Sequence, residues 1–202
     1  NSGFEKPAVP PSGIDGPTAP NAWLSFSSPD KTTAEVSQDR ALAGKQAVRL
    51  SAPTGDIEFL GMAQTVPVQS GATYEFSVDV MDDKIHPLSE KSFIRLNLEW
   101  KNADGNEISR IQGPPWRADL SAEEWHKVKV SGAAPSNAVR LTAVVTLFPN
   151  DKPGACFVDE ARLTSPGLLS AGEESPAAEP TGAITVRASN RSSPTICAEH
   201  DN

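Results

Sequence analysis

From about residue 45 to residue 164, apolar and polar positions alternate in short runs separated by turn signals. In Tyr74–Val80 the apolar residues fall on every second position, the period of a half-buried strand. Phe93–Trp100 repeats this, with Ile94, Leu96, Leu98 and Trp100 on one face and Arg95, Asn97 and Glu99 on the other. Lys101–Asn106 contains Asp104-Gly105 and reads as a hairpin loop leading into Glu107–Ile111. Lys45–Leu50, Leu60–Val68, Trp125–Val130, Ala138–Phe148 and Cys156–Leu163 complete the series. No long stretch has a 3.6-residue period, although Leu120–Glu124 suits one helical turn. Short strands with short connections predict an all-β, antiparallel β-sandwich of the jelly-roll form.

The ends differ from this middle. Residues 6–20 hold five of the chain's 18 prolines and read as a long irregular loop between two early strands. From Pro166 onward, small and acidic residues with further prolines read as a linker. The expected organisation is therefore a domain over 1–165 and a linker or tail over 166–202. Within that tail, Ala183–Arg187 is either one more strand or the opening of a truncated next domain. A net charge of −8 argues against non-specific nucleic-acid or anionic-membrane binding. No run approaches the roughly 18 apolar residues of a membrane span. The two cysteines, Cys156 and Cys197, permit one disulfide at most, and none essential to the fold is expected.

Catalytic signatures are scarce. Three scattered histidines (His86, His126, His200) make no zinc-binding spacing, and no nucleophile elbow or phosphate loop occurs. Glu75 and Asp79 share a strand face and are the best candidates for a glycosidase-type acid pair. Two solvated acids on an exposed face is the other reading, and the expectation is that the chain is not an enzyme.

One ordered group of motifs carries more information. The chain has Asn1-Ser-Gly-Phe-Glu5, Ala43–Leu50, Gln64–Tyr74, Leu98–Gly105, Val130–Pro135 after Trp125, and Phe157–Leu163. In this order and spacing they resemble the carbohydrate-binding modules grouped as families 4, 9, 16 and 22, which are non-catalytic jelly rolls attached to polysaccharide-degrading enzymes. The resemblance spans residues 1 to about 164. It implies a secreted module that carries a covalently linked catalytic domain to a β-linked polysaccharide, with neither nucleic acid nor membrane as partner. It also implies a structural calcium tying the first strand to the last. Carried onto this chain, the side chains of Glu5 and Asp159 and carbonyls of Gly3, Leu42 and Lys45 would be its ligands, an oxygen set that suits calcium.

Strand parity indicates a ligand face. If Val139, Leu141, Val145 and Leu147 point inward, then Arg140, Thr142, Val144, Thr146 and Phe148 point outward. Arg95, Asn97 and Glu99 also point outward, and the same parity groups them with Glu75, Ser77 and Asp79. An outer sheet bearing Arg, Asn, Glu and aromatic groups suits an oligosaccharide. The resemblance adds Glu58 and Phe59, from the strand before Gln64–Val68. Trp116 stands in the stiff loop Gly113–Arg117, where packing and ligand contact are both open readings; Trp23, Tyr74, Trp100 and Trp125 read as packing residues. The expected ligand contacts are Glu58, Phe59, Arg95, Asn97, Glu99, Trp116, Thr146 and Phe148. The alternative function is a structural or adhesive jelly-roll domain without sugar affinity.

Overall fold

The alternating runs become strands in the computed structural model of the protein, which describes Phe4 and residues 23–30, 34–117 and 123–165. The strands are β1 Leu24–Ser28, β2 Ala34–Ser37, β3 Ala47–Ala52, β4 Phe59–Pro67, β5 Thr73–Asp82 and β6 Phe93–Lys101. They continue with β7 Glu107–Gln112, β8 Trp116–Arg117, β9 His126–Ala133, β10 Arg140–Phe148 and β11 Gly154–Thr164. All belong to one unit spanning Asn1–Gly172. The expected irregular loop, most of the helical turn, and the linker and tail lie outside the described residues.

Two antiparallel sheets pack face to face as a jelly roll. One runs β1-β4-β10-β6-β7, with β8 also paired to β6; the other runs β2-β3-β11-β5-β9. The division of β7 from β8 has a local cause. Pro114 and Pro115 have no amide proton for a ladder, and the Gly113 amide donates the last bond, to Leu96 O at 2.8 Å. The hairpin between β6 and β7 is closed by Asn102, whose Oδ1 accepts the amides of Asp104 and Asn106 at 3.1 and 3.0 Å. Gly105 follows with φ of +84°, a conformation that L side chains resist.

The core lies between the sheets. Leu50, Phe76, Val78, Val80, Ile94, Leu96, Leu98, Trp100, Leu141, Val145, Leu147, Cys156 and Val158 fill it from both inner faces. Trp23 joins at one edge, its ring 5.7 Å from Phe4 and 6.3 Å from Phe76. Tyr74 packs edge-on to Trp100 at 5.8 Å, while its hydroxyl accepts the Gln69 amide at 2.8 Å. Trp23, Tyr74 and Trp100 are therefore the packing residues expected. Val139 is not: it is 40% exposed and Ala138 is buried instead. Regular pairing of β10 begins only at Arg140, so the two-residue period does not reach back to Val139.

Candidate functional site

The register of the first sheet brings its outward residues into rows. At one end Phe148 of β10 pairs with Phe93 of β6 and its ring meets that of Phe59 at the start of β4. Next come Gly61, Thr146 and Arg95, with Phe26 of β1 beside Gly61. Ala63, Val144, Asn97 and Gln112 follow, and then Thr65, Thr142, Glu99 and Arg110. These rows form an open cleft of about 320 Å³, lined by Phe26, Phe59, Arg95, Asn97, Glu99, Arg110, Gln112, Val144, Thr146 and Phe148.

The aromatic end is continuous. Phe26 and Phe59 are 6.3 Å apart between centroids, Phe59 and Phe148 6.4 Å, and Phe148 stacks on Phe93 at 4.5 Å. Such rings offer apolar faces to a sugar ring while supporting one another across the strands. Gly61 makes room for this wall, because a Cβ there would lie 2.8 Å from the Phe26 ring. The Arg95 guanidinium lies over Phe93 at 5.3 Å and over Phe148 at 5.9 Å. Its Nε is covered and has no hydrogen-bond partner, and the same holds for Oδ1 of Asn97, a residue only 7% exposed. Buried polar atoms are ordinarily paired, so these two leave hydrogen-bonding capacity unmet at the cleft floor.

The other end is charge-balanced. Arg110 Nη2 lies 3.0 Å from Glu99 and 2.8 Å from Glu107. Burial pushes the Glu99 carboxyl above the usual carboxylate range in spite of the neighbouring Arg110. Oγ1 of Thr142 and Oγ1 of Thr65 share a hydrogen bond at 2.8 Å across β10 and β4.

Of the expected ligand contacts, Phe59, Arg95, Asn97, Glu99, Thr146 and Phe148 meet in this cleft, and Glu58 and Trp116 do not line it. Glu58 precedes β4 and is exposed, with its amide donated to Ser28 O at 2.8 Å. Trp116 pairs with Ile94 and so shares that residue's inward parity; it packs on the core edge, 5.4 Å from the His126 ring. Parity alone missed Phe26, Arg110 and Gln112, because the first strand was not resolved into a specific run and β7 has no clean alternation. Glu75, Ser77 and Asp79 are a correction. They lie on β5 in the other sheet, away from the cleft, because alternation reveals a face without revealing which sheet owns it. Glu75 pairs there with Lys129 at 3.5 Å, and Asp79 with Lys127.

Around Asp159 the geometry differs from the calcium expectation in one respect. Asp159 is fully buried, and its Oδ2 accepts the amides of Leu42 and Ala43 at 2.8 and 3.1 Å while Oδ1 accepts that of Glu160 at 2.7 Å. Leu42 and Ala43 thus turn their N–H groups toward the carboxylate, contacts that suit an anion. Burial nevertheless pushes this carboxyl above its ordinary range. Among the described residues no group of three acidic, histidine or cysteine side chains could hold a metal. Gly3 and Glu5, which the expected calcium site also needs, lie outside the described residues.

No protein family matches the chain by sequence, and no curated protein does. Solved structures match its fold. One is a family 61 carbohydrate-binding module in complex with β-1,4-galactotriose, at TM-score 0.50 and 17% identity, covering 82% of this chain and 95% of that one. A second is the Clostridium thermocellum endo-1,4-β-D-xylanase 10B fragment joining a carbohydrate-binding module to a GH10 module, complexed with xylohexaose. It matches at TM-score 0.54 and 14% identity over 80% of this chain, which spans only 29% of that one. A third is a cyclase from Fischerella sp. TAU with 4-(1H-indol-3-yl)butan-2-one, at TM-score 0.56 and 17% identity over 82% of this chain and 94% of that one. At these identities the likeness is one of fold: a jelly roll common to sugar-binding modules and to at least one enzyme.

Proposed function

We propose that this chain is a carbohydrate-binding module whose cleft holds a segment of a β-linked polysaccharide, with no catalytic activity of its own. The observation that carries the reading is the pair of covered, unpartnered polar atoms, Arg95 Nε and Asn97 Oδ1, beside a wall of phenylalanines. A sugar ring has an apolar face for the wall and a rim of hydroxyls for the polar pair, and an open cleft admits a polymer lengthwise. In this reading the module is secreted and covalently linked to a polysaccharide-degrading domain, as in the xylanase fragment that shares its fold.

Affinity gels containing xylan, β-glucan, galactan or alginate, followed by calorimetry on oligosaccharides, test the binding. The wild-type chain is expected to be retarded in at least one gel, and Phe59→Ala or Phe148→Ala to run as in a blank gel. Release of reducing ends or of unsaturated products would contradict the non-catalytic part. Saturable binding of a small indole in the cleft, with no gel retarding the protein, would favour an apolar small-molecule site instead.

A structural calcium belongs to the same proposal. It requires Glu5 to join Asp159 and the 42–45 loop to turn its carbonyls toward them. What supports it is a buried aspartate on the last strand beside that loop. Identical melting curves in excess EDTA and in millimolar calcium, for protein shown to be metal-free beforehand, would remove calcium from the reading.

A further inference from the structure

We infer that the cleft takes a polysaccharide bearing carboxylates, and that one uronate carboxylate seats on Arg95. This rests on the carbohydrate reading of the cleft and specifies the ligand's class.

The arginines differ in what they face. Arg49 is held by Glu35 and Asp83, Arg110 by Glu99 and Glu107, and Arg162 by Glu160. Arg95 is half-buried on the cleft floor with no acidic partner among the described residues, its Nε covered and unbonded. Two rings flank the guanidinium, and its planar fork matches a carboxylate bidentately. A half-buried cation without a counter-ion is costly, and the ligand that removes the cost is an anion.

The surrounding charge agrees. The chain carries −8 overall. On this sheet, by contrast, the outward positions of β6, β7 and β10 hold Arg95, Lys101, Arg110 and Arg140, against Glu99 and the Arg110-bound Glu107. Arg140 and Lys101 sit opposite one another at the far end of the cleft sheet. The outward face of these three strands thus carries a small excess of positive charge on an acidic chain, with Arg95 its cation at the aromatic end of the cleft.

Asn97 sets the position of the sugar. It follows Arg95 on the same strand face, about 6.8 Å along. One pyranose spans that interval with its exocyclic carboxylate at Arg95 and a ring hydroxyl donating to the free Oδ1 of Asn97. The next polar position is Glu99, where a second carboxylate would be repelled. The cleft therefore favours a chain in which the unit lying over Glu99 is neutral, and the uronate lies at the aromatic end.

The test uses the full chain and oligosaccharides prepared from glucuronoxylan, alginate and pectate, each before and after chemical reduction of its carboxyls to primary alcohols. At least one acidic preparation is expected to bind tenfold or more tightly than its reduced counterpart, a difference of about 1.4 kcal/mol. That gap should narrow as salt rises. Arg95→Gln should erase the gap, with an unchanged melting temperature showing that the fold is retained, and Asn97→Ala should weaken the acidic and reduced forms alike. Equal or tighter binding of the reduced forms would overturn the inference and leave the carbohydrate reading standing. Selective binding of a sulfated, uronate-free polysaccharide would also overturn it. Failure of every glycan, neutral or acidic, would sink the carbohydrate reading itself.

Discussion

Asp159 shows how much one side chain can hold. Its carboxylate is the acceptor for three buried or half-buried amides, two of them from a loop more than a hundred residues away in sequence. An amide left without its acceptor costs about 1–3 kcal/mol. Asp159→Ala should therefore lose at least about 3 kcal/mol, a fall of roughly 6–12 °C in melting temperature for a domain of this size. A loss under about 1 kcal/mol in urea unfolding would show that water replaces the carboxylate. Glu99 permits a test of sign. Burial raises its pKa, as it does those of Asp82 and Asp159. Asp83 goes the other way: burial opposes its charge, but the amides of Ile85 and His86 and the Arg49 guanidinium outweigh burial and hold its pKa low. A group whose folded pKa is raised binds its proton more tightly in the native state, so its contribution to stability falls as pH rises from the unfolded pKa through the folded one. Glu99→Gln removes one such group. Between pH 4 and pH 7 the variant should lose less stability, or gain more, than the wild-type chain. Parallel stability curves over that interval would contradict the pKa direction.

At the scale of strands, Gly61 on β4 is where the cleft depends on close backbone approach. A Cβ at this position would meet Val145 O at 2.0 Å and Thr146 Cα at 3.1 Å, both backbone atoms of β10, besides the Phe26 ring. Gly61→Ala must push β4 away from β10 or tilt Phe26 into the cleft. The expected result is a loss of several kcal/mol, as for other overpacked sites, together with lost ligand affinity; a fully stable, binding-competent variant would refute the packing. The strands themselves were largely legible. β3 to β6 and β9 to β11 follow runs of strand-type residues in the sequence, and β7 follows the Asp104-Gly105 hairpin signal rather than a clean alternation. β2 and β8 are too short to show a period, and β1 has only intermediate burial over most of its length, so all three escaped a residue-level reading. Of the six expected ligand contacts that share the cleft, Phe59 came from the resemblance and the other five follow from the period of two that assigns faces on β6 and β10. Sheet membership was not legible, since it is set by pairings between distant segments. Hence Glu75 and Asp79 were grouped with Arg95 although they belong to the opposite layer. The places of Trp116 and Phe26 escaped parity by a related cause. A loop aromatic joined the edge of β6, and an aromatic outside any recognised alternation became part of the wall.

At the scale of the whole fold, most strand pairings are distant in sequence, among them β1 with β4, β4 with β10, β3 with β11 and β11 with β5, while β2–β3 and β6–β7 join consecutive strands. Loop closure must be met before such contacts form, and all-β sandwiches accordingly refold in milliseconds to seconds. Stopped-flow refolding followed through the buried tryptophans should fall in that range, and a microsecond phase carrying most of the amplitude would be incompatible with the topology. The position of β10 and β11 has a further consequence. They are the last of the described strands, yet each is the middle strand of its sheet. A ribosome delivers residues in order, so β4 and β6 emerge before the strand that separates them, and β3 and β5 likewise. Until about residue 164 has cleared the exit tunnel, four strand edges stand bare, and bare edges recruit other chains. This jelly roll cannot close strand by strand during its own synthesis; the nascent chain must be kept from aggregating until β10 and β11 arrive to close both layers.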